Sequence, residues 1–152
     1  GQFLALTLAG MLTTHAFTVG VGNLRMLLTR PMKPLYEGLE WWVLAWSGPV
    51  QWLSVVLLFV GIYLLAARKI SGWWLALIAA VSILAIDAPT QVIRTTMTDT
   101  NSLDYLYGSL LSIGLLFSLL YPRFRAALVA GDEPEIRDAE SRGDEIVTEA
   151  FA

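Results

Sequence analysis

The sequence predicts an all-α integral membrane protein: about four transmembrane helices in a compact bundle, with an interfacial helix before the second span and an acidic C-terminal tail. Three observations lead there. Of 152 residues, 56% are hydrophobic and only 15% charged, against about 25% charged in an ordinary globular chain. Uncharged apolar runs recur through the first 125 residues, and a crossing helix needs about 20 such residues. Charge is also segregated. Residues 1–125 hold eight Lys or Arg and five Asp or Glu, whereas 126–152 hold two Arg and eight acids. The chain therefore divides into a mildly basic membrane domain, 1–125, and an acidic cytoplasmic tail, 126–152.

The first span covers about 2–24 and carries no charge before Arg25. It is too long for a signal-peptide core and lacks a basic leader, so it reads as a mature helix. Residues 30–46 mix charges with Trp41, Trp42 and Trp46. Indole rings favour the headgroup level, so this stretch reads as an interfacial segment. The alternative is a second span that begins at Trp41 and tilts. Ser47-Gly48-Pro49 looks like a helix start, with proline at the first helical position where its missing N–H does no harm. The second span then runs over 49–67 and is closed by Arg68-Lys69.

The third span covers about 71–93 and passes Asp87, with Pro89 expected to kink it. The fourth covers about 103–121 and stops at Pro122, with Asn101 or Ser102 as a plausible cap. Small residues at four-residue spacing mark contact faces: Ala5 and Ala9, then Gly72, Ala76 and Ala80, then Gly108 and Ser112, and Gly114 and Ser118. Such faces let helix backbones approach closely in lipid.

An even number of spans puts both termini on one side. Four basic residues (Arg68, Lys69, Arg123, Arg125) fall on that side and four (Arg25, Arg30, Lys33, Arg94) on the other. The short basic turn at Arg68-Lys69 favours cytoplasmic termini under the positive-inside rule. A prokaryotic plasma (inner) membrane is the default setting.

Polar residues inside spans are the candidates for chemistry. Thr7, Met11, Thr14, Thr18, Gly22 and Arg25 recur at helical spacing and share one face. They would serve as helix contacts or line a path for an ion or small solute. His15, the one histidine in the chain, is either a neutral ring bonded to a neighbouring helix, a proton-linked residue or an axial haem ligand. Asp87 needs a partner or water in lipid: it is either an interfacial or salt-bridged acid, with Arg94, two turns on, or Arg25 eligible as partner, or an ion or proton site near the outer mouth. Asn23 and Gln51 are polar groups without an assigned role.

No cysteine is present, and no Gly-rich phosphate loop, His-Glu-x-x-His motif or metal-ligand cluster occurs. No metal site and no enzymatic activity are expected. Nucleic acid is excluded as a partner for want of a basic face. The leading expectation is a non-catalytic subunit or assembly partner of a membrane complex, surrounded by the lipid bilayer and by other membrane subunits or copies of itself. Its acidic tail would meet a basic protein surface. The alternatives are a small homo-oligomeric channel or transporter and a cofactor-binding redox protein using His15.

Overall fold

The computed structural model describes residues 1–29, 39–97 and 103–127. Four helices appear in order: α1 Gln2–Thr29, α2 Leu39–Ala66, α3 Ile70–Met97 and α4 Asp104–Leu120. No strand occurs among the described residues. Three stretches are long and apolar enough to cross a membrane: Gln2–Arg25, Ala45–Ala66 and Ile70–Thr96. The 17-residue α4 is apolar but shorter, about 25 Å at 1.5 Å per residue.

Each helix packs against its neighbours in sequence, and α4 closes the ring on α1. The reason is legible in the buried positions. They fall at Ala5, Ala9, Leu12 and Ala16 on α1, and at Ser47, Gln51, Ser54, Leu58, Gly61 and Leu65 on α2. On α3 they are Trp73, Ala76, Ala80, Ile83, Asp87 and Thr90, and on α4 Tyr105, Gly108, Ser112, Leu115 and Leu119. Steps of three and four alternate in every helix. That average of 3.5 keeps one seam of each helix on the bundle axis and gives a slight left-handed crossing. The outward surface is apolar, with Phe3 83% and Phe117 78% exposed. Lipid is the solvent such a surface suits, since tails are as apolar as the side chains.

Two ends of the bundle differ. The turn end carries the chain's start, the tight 67–69 connection and the end of α4. Here Gly72 lies so close to α2 that a Cβ would sit 2.5 Å from the Leu65 backbone nitrogen. Arg68 takes φ 58°, with Lys69 N–H donating to the Leu64 carbonyl at 2.9 Å. This is a left-handed helix cap, a place usually given to glycine. Trp73 Nε1–H donates to the Leu119 carbonyl at 2.8 Å, and Gln2 Nε2–H to the Leu65 carbonyl at 2.9 Å. The far end holds the end of α1, the start of α2, the end of α3 and the start of α4.

The expected helix start at Ser47-Gly48-Pro49 is overturned. α2 is continuous from Leu39 and carries Pro49 in its interior. Residues 39–46 are thus part of the second helix and not a separate interfacial one; residues 30–38 lie outside the described set. Proline removes one ladder bond. In lipid, a broken helix would leave many more backbone groups without any partner, so the ladder continues past the gap. Side-chain contacts with α1 hold the same place: Asn23 Nδ2–H donates to Ser47 Oγ at 3.2 Å, and Gly20 faces the Trp52 ring.

α3 continues through Pro89, beyond the expected end near residue 93, and ends at Met97. The cap of α4 differs from expectation. Leu103 occupies the N-cap without a side-chain hydrogen bond, and Asn101 and Ser102 lie outside the described residues. After Tyr121 the chain is helical again over 122–127, and the buried Phe124 packs beside Gly1. The acidic segment beyond residue 127 also lies outside the described residues.

A candidate ion-binding centre

One residue from each helix meets in a single polar layer. His15 Nε2 lies 2.9 Å from Asp87 Oδ2; an ionised carboxylate can only accept, which assigns the ring proton to Nε2. The carboxylate also accepts from Gln51 Nε2–H through Oδ1. Asp87 and Gln51 are 0% exposed and His15 only 8%. The fourth helix contributes Gly108. A Cβ there would collide with Asp87 Oδ2 and His15 Nε2 and sit 2.7 Å from His15 Cδ2. Only a residue with no side chain lets α4 close over the pair. Tyr107 presents its ring edge-on to His15, with centroids 5.9 Å apart and planes at 69°.

The layer is deep. Asp87 lies ten residues before the end of α3, about 15 Å from the far end of the bundle. The interior is polar on that side: Ser47, Gln51, Asp87, Thr90 and Ser109 are all buried. Thr90 Oγ1–H donates to the Ile86 carbonyl at 2.6 Å, and Ser109 Oγ–H to the Tyr105 carbonyl at 2.8 Å. Toward the turn end it becomes apolar, with Ala5, Ala9, Leu58, Leu65, Leu115 and Leu119 fully buried. An open cleft of about 430 Å³ at the far end reaches His15; Thr18, Asn23, Arg94, Asp104 and Tyr105 line it. The pair is therefore approached from one side and sealed from the other.

Three buried polar oxygens near the layer have no hydrogen-bond partner among the described residues: Gln51 Oε1, Ser54 Oγ and Ser112 Oγ. A buried polar group left unpaired costs roughly 1–3 kcal/mol. Ser54 follows Gln51 by three residues and Ser112 follows Gly108 by four, so both lie one turn deeper on their helices.

The predicted partner for Asp87 is wrong. Arg94 is one heptad further on, about 10.5 Å along the axis, and its guanidinium lies over the Tyr105 ring at 4.8 Å. Arg25 is on the exposed surface. The partners are His15 and Gln51 instead. His15 does bond a neighbouring helix. Thr7, Thr14 and Thr18 all face outward. Each donates to the carbonyl four residues back: Phe3 at 2.9 Å, Gly10 at 3.1 Å and Thr14 at 2.9 Å. Of the three, Thr18 alone lines the cleft. The sequence-predicted set is thus split. His15 and Asp87 come together, Arg94 and Thr18 stand at the mouth, and Thr7, Thr14 and Arg25 are on the outer face of α1.

No family model, curated protein or solved structure matches the chain. The chemistry of the layer is then the guide. Among the described residues no three His, Cys, Asp or Glu side chains group together, so a nitrogen- or sulfur-rich transition-metal site has no donors. His15 already uses Nε2 on Asp87, and a haem iron ligated there would have to break that bond. The oxygens present are one carboxylate, one amide carbonyl and several hydroxyls, which suit a proton or a hard cation.

Proposed function

We propose that the chain is a small transport protein of the membrane. It spans four times with both termini cytoplasmic, and it carries a small cation through the His15–Gln51–Asp87 layer. The observation that carries this reading is the choice of partners for Asp87. A structural acid in lipid is normally paired with a fixed cation, and a buried ion pair is often no more stabilising than apolar residues of the same volume. Here the partners are an imidazole and an amide. The counter-charge of the carboxylate is therefore exchangeable. The one-sided cleft supplies an entry, and the apolar half of the bundle supplies a barrier that must move or be bypassed for release.

Proteoliposomes under imposed proton and sodium gradients test this, with ion-sensitive dyes inside. The parent protein is expected to pass one of the two ions, Asp87→Asn to lose it and Thr14→Val to keep it. Flux that survives Asp87→Asn but fails with Thr14→Val would move the path to the outer face of α1, between copies of the chain. No flux at all, together with other chains copurifying from the native membrane, would favour the non-catalytic subunit.

A further inference from the structure

We infer that the centre of the bundle is a binding site for one dehydrated alkali cation of the sodium class, held by oxygens of Asp87, Gln51, Ser54 and Ser112. This rests on the transport reading only in naming the ion; binding itself needs no transport.

The argument starts from the orphan oxygens. Serine hydroxyls inside helices usually return to the carbonyl one turn back, as Ser109 and Thr90 do here. Ser54 and Ser112 do not, although their exposures are 1% and 0%. Gln51 is oriented by its own bond. Its amide nitrogen is committed to Asp87 Oδ1, which leaves Oε1 with nothing to accept from. One unpaired oxygen is on the amide that bonds the carboxylate, and two lie one turn deeper on α2 and α4; a positive ion between the two levels would give all three a partner.

Charge and donor type narrow the ion. All four groups are hard oxygen donors, which favour alkali and alkaline-earth ions over transition metals. Among the described residues Asp87 is the one acid in the layer. From α1 the layer is faced by His15, from α2 by Gln51 and Ser54, and from α4 by Gly108 and Ser112; Arg94 and Asp104 stand further out in the cleft. One carboxylate neutralises one unit charge. A divalent ion would leave a net charge in a low-dielectric interior, which is expensive. The burial of all four donors means that the ion arrives without its water shell. The carbonyl and hydroxyls then replace that shell, as oxygen rings do in selectivity filters.

The test is thermal unfolding and calorimetric titration of the full chain in detergent, with sodium chloride replacing choline chloride at constant ionic strength. Anything that binds only the folded state raises the melting temperature. The parent is expected to show a sodium-dependent rise and a saturable heat. Ser54→Ala and Ser112→Ala are expected to fold as well as or better than the parent without sodium, because each removes an unpaired hydroxyl. Both should weaken sodium binding by roughly tenfold or more. Asp87→Asn should abolish it. Two results would overturn the site: a sodium response that both serine variants leave unchanged, or calcium chloride binding more tightly than sodium. Absent sodium binding alongside Asp87-dependent proton flux in vesicles would sink the sodium site and leave the transport reading standing. Sodium binding without any flux would do the reverse.

Discussion

Gly108 sits where four helices come closest to the buried pair, so Gly108→Ala is a demanding perturbation. The added Cβ falls inside contact distance of both Asp87 Oδ2 and His15 Nε2, and 2.7 Å from His15 Cδ2. Ordinary carbon contacts lie near 3.5–4.0 Å, so one side must retreat by about 1 Å. His15 and Asp87 are held by their bond to each other and by Gln51, so a shift of either strains those bonds. Alanine favours the helix by about 1 kcal/mol over glycine. Against that gain stand about 1–3 kcal/mol for overpacking and about 3–5 kcal/mol if the bond between the buried partners is lost. The net expectation is a loss of up to about 2 kcal/mol from overpacking alone, and of about 3 kcal/mol or more if the bond also breaks. Denaturant or thermal unfolding in detergent, followed by helical circular dichroism, reads it directly. Gly10→Ala is the matched control, since a Cβ there meets nothing within 4 Å; it should be neutral or stabilising by up to about 1 kcal/mol. Equal stability of Gly108→Ala and Gly10→Ala would refute the four-helix layer.

Two further substitutions probe the turn end by the same unfolding assay. Gly72→Ala would place a Cβ 2.5 Å from the Leu65 nitrogen and 2.8 Å from the Leu64 carbonyl carbon. Backbone cannot swing aside, so a loss of about 1–3 kcal/mol is expected from forcing α2 and α3 apart. Arg68→Gly should instead raise stability by up to about 1 kcal/mol, because the cap at φ 58° strains a residue with a Cβ and not glycine.

Much of the architecture is readable in residue spacing. Gly72, Ala76 and Ala80 on α3, and Gly108 and Ser112 on α4, mark the faces that the structure buries. Extending the α3 stripe by steps of three and four reaches Ile83, Asp87 and Thr90, so an inward Asp87 was available from pattern alone. Its partner was not. Spacing reports faces along one helix, and His15, Gln51 and Gly108 reach Asp87 from three others. On α1, two stripes compete. The threonine face is polar, yet each hydroxyl satisfies itself on its own helix, which frees that face to meet lipid. The plainer stripe of Ala5, Ala9, Leu12 and Ala16 is the one that packs. Pro49 misleads for a related reason. A rule learned from helices in water marks it as a boundary, whereas without water there is no competitor for the backbone bonds on either side.

His15 is the one histidine in the chain, so nitrogen-15 NMR of imidazole-labelled protein reports the central pair without ambiguity. The chain should give a single ring whose Nε2 resonance carries the signature of a strong hydrogen bond to a carboxylate, and Asp87→Asn should shift it. A free-imidazole spectrum that Asp87→Asn leaves unchanged would contradict the buried His15–Asp87 pair on which the proposed ion centre depends.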